Sequence, residues 1–144
     1  MTIAVRAVAR LLLAPSLVVA VATMVKGYAH VGDGFSAGVI VALAVSLQYV
    51  AFGRPRAEAA LPCLRFAPLV AGTGLLLAIA VGFFPILGGR PIFTHWPPPG
   101  VHPMRIGTLE VLTAFVFDIG VFLLVVGALV VLVHQLADDG PSPP

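Results

Sequence analysis

Four apolar segments, each about as long as a membrane-spanning helix, constrain what this chain can fold into. They cover residues 7–26, 34–53, 66–87 and 109–135. A helix needs about 20 residues to cross a hydrocarbon core of about 30 Å. Only 10% of the residues are charged and 60% are hydrophobic, whereas soluble domains carry about a quarter charged residues. The pattern predicts an all-α membrane protein, a bundle of four transmembrane helices forming one domain over residues 1–137.

The first apolar segment also has features of a secretory signal peptide, because Arg6 and Arg10 precede an apolar run. That run ends at Lys26 without the small residues that a cleavage site requires. An uncleaved first helix is therefore the favoured interpretation.

The distribution of positive charge predicts the orientation of the chain. One side carries Arg6, Arg10, Arg54, Arg56 and Arg65, and the other carries Lys26, Arg90 and Arg105. Because cytoplasmic loops collect lysine and arginine, we expect both termini of this multi-pass protein in the cytoplasm. Residues 138–144 form an acidic, proline-rich tail, which is expected to be disordered.

Asp118 is a carboxylate inside the fourth apolar segment. It lies about ten residues into that segment, which corresponds to a depth of about 15 Å in a helix. A charge at mid-membrane costs about 2.5–3.5 kcal/mol on insertion scales and usually faces a partner or an ion path. No other segment offers a side chain at that depth. We therefore expect Asp118 to stay neutral or to pair with another protein, and a role as a hydrogen-bonded packing device is the alternative.

Two further carboxylates lie near the outer ends of the segments. Glu110 precedes Asp118 by eight residues, so in a continuous helix it would lie about 12 Å closer to the outer surface. The alternative is an interfacial charge that the helix dipole favours at a helix N-terminus. Asp33 and Ser36 open the second segment and are expected to cap its helix. Asp118, Glu110 and Asp33 are the candidates for an ion or proton pathway.

Small residues recur at intervals of four in the second and third segments. The two series are Gly34, Gly38, Ala42 and Ser46, and Gly74, Ala78 and Gly82. Faces of small residues let helix backbones approach closely in lipid. We expect these two helices to pack on each other and also on neighbouring chains.

The sequence gives little support to an enzyme, a metal site or a nucleic-acid-binding protein. His95 and His102 lie in the proline-rich loop Gly88–Gly107 at a spacing that no known metal site uses. Cys63 is the only cysteine and cannot form an internal disulfide, and no basic cluster suggests nucleic acid. We expect no catalytic residue, metal or cofactor. A membrane enzyme or sensor that uses the histidine loop is the weakest hypothesis.

Three stretches of the chain are characteristic in combination. They are "HVGDGFSAGVIVALAVSLQYVAFG" (His30–Gly53), "GLLLAIAVGFFPILGGRPIF" (Gly74–Phe93) and "FDIGVFLLVVGALVVL" (Phe117–Leu132). Together they resemble the B subunit of the multisubunit Mrp-type (Mnh-type) sodium/proton antiporters, with relatives in membrane-bound hydrogenase complexes related to respiratory complex I. Asp118 matches the family's aspartate in the last span, whereas Val31 and Asp33 depart from its Pro-Gly-Gly-Gly-Phe run.

The resemblance implies a small subunit of a large membrane assembly that exchanges internal sodium for external protons. Its partners would be large complex I-like subunits and other small subunits, and Asp118 would line the ion path beside them. The expected helix-packing positions are Gly34, Phe35, Gly38, Gly74, Gly82 and Gly120. The alternative is a purely structural subunit of a complex I-related assembly, without a direct role in the ion path.

Overall fold

The computed structural model describes residues 3–29, 32–96, 105–106, 109–110 and 113–138. This part contains five α-helices, two 3₁₀ helices and one pair of short antiparallel strands. The α-helices are α1 (Ile3–Ala29), α2 (Gly34–Phe52), α3 (Arg54–Ala60), α4 (Ala67–Phe83) and α5 (Thr113–Asp138). The 3₁₀ helices are Pro62–Phe66 and Phe84–Gly88, and the strands are β1 (Arg105–Ile106) and β2 (Leu109–Glu110).

Four stretches of the described chain are long and apolar enough to cross a membrane, which agrees with the predicted number of spans. They are Ile3–Gly27, Gly34–Phe52, Pro62–Gly88 and Thr113–Ala137. The segment between the second and third spans is not a plain loop, because it contains α3 and a 3₁₀ helix. Most of the predicted tail, residues 139–144, lies outside the described residues, and Asp138 still belongs to α5.

The start of the fourth span was placed too early by the sequence. Residues 109–110 form a strand, and α5 begins only at Thr113. The Trp96 backbone N–H donates to the Thr113 hydroxyl at 2.7 Å, and the Thr113 N–H donates to the Trp96 carbonyl at 3.2 Å. This reciprocal pair anchors the first residue of the helix to the preceding loop.

Helix α5 occupies the centre of the bundle, between α2 and α4, and α1 packs on the other side of α2. The predicted packing of the second and third spans on each other is therefore wrong. The small-residue faces of α2 and α4 both lie against α5, as the close contacts at their glycines show. A Cβ at Gly38 would lie 3.0 Å from Val125, and a Cβ at Gly74 would lie 2.7 Å from the Gly120 carbonyl oxygen.

The contact between α4 and α5 is made backbone to backbone. A Cβ at Gly120 would lie 2.9 Å from the Ala78 nitrogen, and one at Gly127 would lie 2.7 Å from the Ala67 carbonyl oxygen. Such close approach requires glycine, and dispersion and packing provide most of the helix association in lipid. Two of the expected packing positions lie outside these helix contacts: Gly82 lies against the Phe93 ring, and Phe35 is 58% exposed.

The apolar core lies toward the C-terminal ends of α2 and α5, where α3 covers them. Its buried members are Val45, Tyr49, Ala57, Ala67 and Val130. On the opposite side of α2, the buried Gln48 amide donates to the Ala9 carbonyl at 2.7 Å and so ties α1 to α2. A buried amide needs such a partner, because an unpaired polar group in an apolar environment is costly.

Candidate functional site

Asp118 is buried where α5 meets the start of α2. The carboxylate residue is 5% exposed. Because α5 begins at Thr113, Asp118 lies about 8 Å from the start of its helix, and not about 15 Å as the earlier predicted start implied. The carboxylate therefore lies toward one end of the bundle, level with the connection between α1 and α2.

The connection between α1 and α2 provides a hydrogen-bond partner for Asp118. The Gly32 backbone N–H donates to Asp118 Oδ2 at 2.8 Å. Gly32 has φ +119°, a conformation that favours glycine. The expectation that nothing in the chain pairs with Asp118 is thus wrong, because the partner is a backbone group rather than a side chain.

Gly34, the first residue of α2, allows α5 to approach at this point. A Cβ on Gly34 would collide with the Asp118 carbonyl oxygen and would lie 2.9 Å from the Asp118 carbonyl carbon. Any larger side chain would push the two helices apart. Gly32, before Asp33, therefore provides the hydrogen bond to the Asp118 carboxylate. Gly34, after Asp33, determines how closely α2 and α5 approach.

An ion pair lies beside this carboxylate. Lys26 Nζ, at the end of α1, is 3.5 Å from Asp33 Oδ2. A Cβ on Gly27 would lie 3.1 Å from the Asp33 Cβ and 3.8 Å from Asp118 Oδ2, so both aspartates border the same point of α1. Asp33 makes no side-chain cap of α2, which contradicts the predicted capping role, and its carboxylate turns to Lys26 instead. Ser36 is exposed on the first turn.

The structure separates Glu110 from Asp118. Glu110 lies in β2, paired in register with Arg105, and precedes the first residue of α5. It is therefore not an earlier residue of the same helix, as the sequence suggested. Its side chain lies outside the described part of the structure.

The chemistry available at Asp118 is that of a sheltered oxygen ligand. An ionised carboxylate can accept about four hydrogen bonds, and the Gly32 N–H supplies one of them. The N-terminus of α2, at Gly34, carries the positive end of a helix dipole. Hard cations prefer oxygen ligands, so this carboxylate can bind a proton or contribute one ligand to a cation. In the described residues, no cluster of three or more histidine, cysteine, aspartate or glutamate side chains could hold a metal ion.

The loop histidines do not extend this site. The His95 ring lies 6.5 Å from the Phe117 ring, centroid to centroid, and Phe93 meets the same ring edge-on at 5.9 Å. His102 lies outside the described residues. His95 and Phe93 thus pack on Phe117, the residue that precedes Asp118, and His95 makes an aromatic contact there.

Comparison with known proteins identifies the family. Residues 4–131 match a domain described as related to the MnhB subunit of the Na+/H+ antiporter. The chain belongs to the MnhB family. The resemblance predicted from the stretches His30–Gly53, Gly74–Phe93 and Phe117–Leu132 is confirmed.

Several MnhB-family relatives are similar over most of this chain. The B subunit of the Na(+)/H(+) antiporter of Alkalihalophilus pseudofirmus is 34% identical over 113 residues, covering 78% of this chain and 76% of that protein. The B subunit of the Na(+)/H(+) antiporter of Bacillus subtilis is 32% identical over 114 residues, 79% of this chain and 78% of that protein. The probable A/B subunit of a K(+)/H(+) antiporter of Rhizobium meliloti is 33% identical over 83% of this chain, which matches 12% of that longer protein.

Proposed function

We propose that this MnhB-family chain is a small multi-pass subunit of a multisubunit sodium/proton antiporter in the plasma membrane, and that Asp118 contributes to its ion path. The observation that carries the proposal is the buried Asp118 carboxylate, held by the Gly32 N–H at 2.8 Å where three helices meet. Ionisable residues at such positions in membrane proteins mark ion or proton routes. The test is the rate of antiport by assembled complexes that carry Asp118→Asn.

The names of the relatives support the transported species and the partners. Two relatives are named as subunits of Na(+)/H(+) antiporters and one as a probable subunit of a K(+)/H(+) antiporter. Sodium is the proposed cation, and potassium is the competitor to measure beside it. The proposed partners are large complex I-like subunits and other small subunits. Exposed apolar side chains of α1 and α2, such as Leu11 at 73% and Leu43 at 64%, would face those subunits or lipid.

A purely structural subunit is the second candidate function. It is favoured by the close contact between Gly34 and the Asp118 backbone. The Asp118 carboxylate, which accepts the Gly32 N–H, could then serve to hold α5 against α2. In that case the shape and the acceptor oxygen of residue 118 would matter, and its charge would not. Asparagine at this position distinguishes the two functions.

Both termini are expected on the cytoplasmic side, with Asp118 near the outer ends of its helices. The reason is the excess of arginine in the N-terminus and in the connection from α2 to α4. Reporter fusions after residue 144 should be active only as cytoplasmic reporters, and fusions within Gly88–Gly107 only as external reporters. An external C-terminal reporter would refute this orientation.

A further inference from the structure

A second polar cluster lies at the end of the bundle opposite Asp118. Glu58 in α3 accepts a hydrogen bond from Arg54 Nε at 2.9 Å, and His134 Nδ1 in α5 lies 2.8 Å from the same carboxylate oxygen. His134 follows Asp118 by sixteen residues, which corresponds to about 24 Å along the helix. Helix α5 thus carries Asp118 near its N-terminal end and His134 near its C-terminal end, each in contact with a different neighbouring element.

A buried hydroxyl with an unused hydrogen-bonding capacity adjoins this pair. Tyr49 of α2 is 5% exposed, and its hydroxyl lies within reach of the Glu58 carboxylate and the Arg54 charge, although it makes no hydrogen bond of standard geometry among the described residues. Tyr49, Ser46 and Arg54 line an open cavity of about 450 Å³ between the ends of α2 and α5. That volume is ample for water, and a buried polar group without a protein partner is commonly satisfied by water.

We propose that Glu58 and His134 form a proton-binding site on the proton route of the antiporter, at the end of the bundle opposite Asp118. The proposal rests on the proposed transport function. Because Glu58 is a hydrogen-bond acceptor, Nδ1 of the neutral imidazole carries hydrogen and donates to it. An incoming proton then adds to Nε2, and the resulting imidazolium is balanced by the carboxylate 2.8 Å away.

The exposure of the pair suits exchange of protons with water. The side chains of His134 and Glu58 are 38% and 35% exposed, so the described part of this chain does not enclose them. Histidine is the side chain whose charge ordinarily changes between pH 5 and 8. The described charged or titratable groups that face the pair are Arg54 from α3 and Tyr49 from α2, and Arg54 opposes the positive charge that His134 would gain.

Labelling of the assembled complex with diethyl pyrocarbonate tests the proposal, because this reagent modifies neutral imidazole. The pH of half-maximal labelling of His134 is read by mass spectrometry, with His95 of the same chain as the internal control. Glu58→Gln removes the carboxylate that lies 2.8 Å from His134 Nδ1 and should lower this pH. Arg54→Gln removes the opposing cation and should raise it.

The pH dependence of antiport in the same membranes supplies the functional readout. The acidic limb should move in the same direction as the labelling, downward in Glu58→Gln and upward in Arg54→Gln. Structural damage would not move two profiles in opposite directions, and subunit levels are checked by blotting. Labelling profiles that coincide in all three proteins, or shifted labelling with unchanged pH dependence of antiport, would overturn the proposal. Absence of antiport in the wild-type complex would instead refute the proposed function.

Discussion

Membranes from cells that express the Gly74→Leu variant are expected to contain little or none of the subunit. A Cβ at Gly74 would collide with the Leu124 nitrogen and would lie 2.7 Å from the Gly120 carbonyl oxygen and 2.8 Å from the Leu123 Cβ. Two of these neighbours are backbone atoms, which cannot move aside as a side chain can. Overpacking a tight core costs about 1–3 kcal/mol and occasionally more, and we expect about 3 kcal/mol or more here. The measurement is the amount of the full-length protein in purified membranes.

Gly72→Leu is the matched control on the same helix. A Cβ at Gly72 meets no atom of the described residues within 4 Å, so the same added volume points away from α5. Normal levels of Gly72→Leu with loss of Gly74→Leu would show that the contact between α4 and α5 holds the protein together. Equal and normal levels of both variants would contradict the central placement of α5.

The sequence predicted which helix faces are small, but not which helix covers them. Series with a spacing of four residues place Gly34, Gly38 and Gly74 on faces suited to close packing. The pattern does not choose between neighbours. A signal was present in α5, because Gly120 and Gly127 are separated by seven residues, or about two helical turns, and so lie on one face toward α4.

The start of α5 could not be predicted from composition. Residues 109, 111 and 112 are as apolar as the helix that follows, so hydropathy extends the segment through a strand. The boundary depends on the reciprocal hydrogen bonds between Trp96 and Thr113, which join residues far apart in sequence. The distance of Asp118 from the start of its helix was overestimated for the same reason.

The environment of Asp118 was predicted only in part. Its burial followed from one carboxylate within an apolar run, but its partner is the Gly32 backbone N–H, and every residue except proline carries such a group. The glycines on both sides of Asp33 were the available signal, since they permit an irregular connection. Glu58 and His134 were missed because each is an isolated polar residue near a helix end, and only the fold brings them together.

Complexes with Asp118→Asn are expected to assemble at normal levels and to lose most of their antiport. Asparagine retains an oxygen that can accept the Gly32 N–H and has nearly the same volume, so the junction of α2 and α5 remains packed. It cannot carry the charge or exchange the proton of a carboxylate. We expect the rate to fall to about a tenth or less, which corresponds to a barrier raised by about 1.4 kcal/mol or more.

Two neighbouring carboxylates are informative comparisons for Asp118. Asp33→Asn weakens a partly exposed ion pair with Lys26. Exposed ion pairs contribute little to the stability of a protein, about 0–1 kcal/mol. Glu110→Gln changes a residue of β2 outside the helix. Both variants are therefore expected to reduce antiport less than Asp118→Asn does.

Sodium-dependent proton movement in inverted membrane vesicles, with potassium measured beside sodium, tests the role of Asp118 most directly. Wild-type and Asp118→Asn vesicles are compared at equal levels of the protein, as determined by blotting. The proposed function predicts antiport by the Asn complexes at about a tenth of the wild-type rate or less. Antiport at the wild-type rate in fully assembled Asn complexes would contradict it and would leave Asp118 as a residue that only holds α5 against α2.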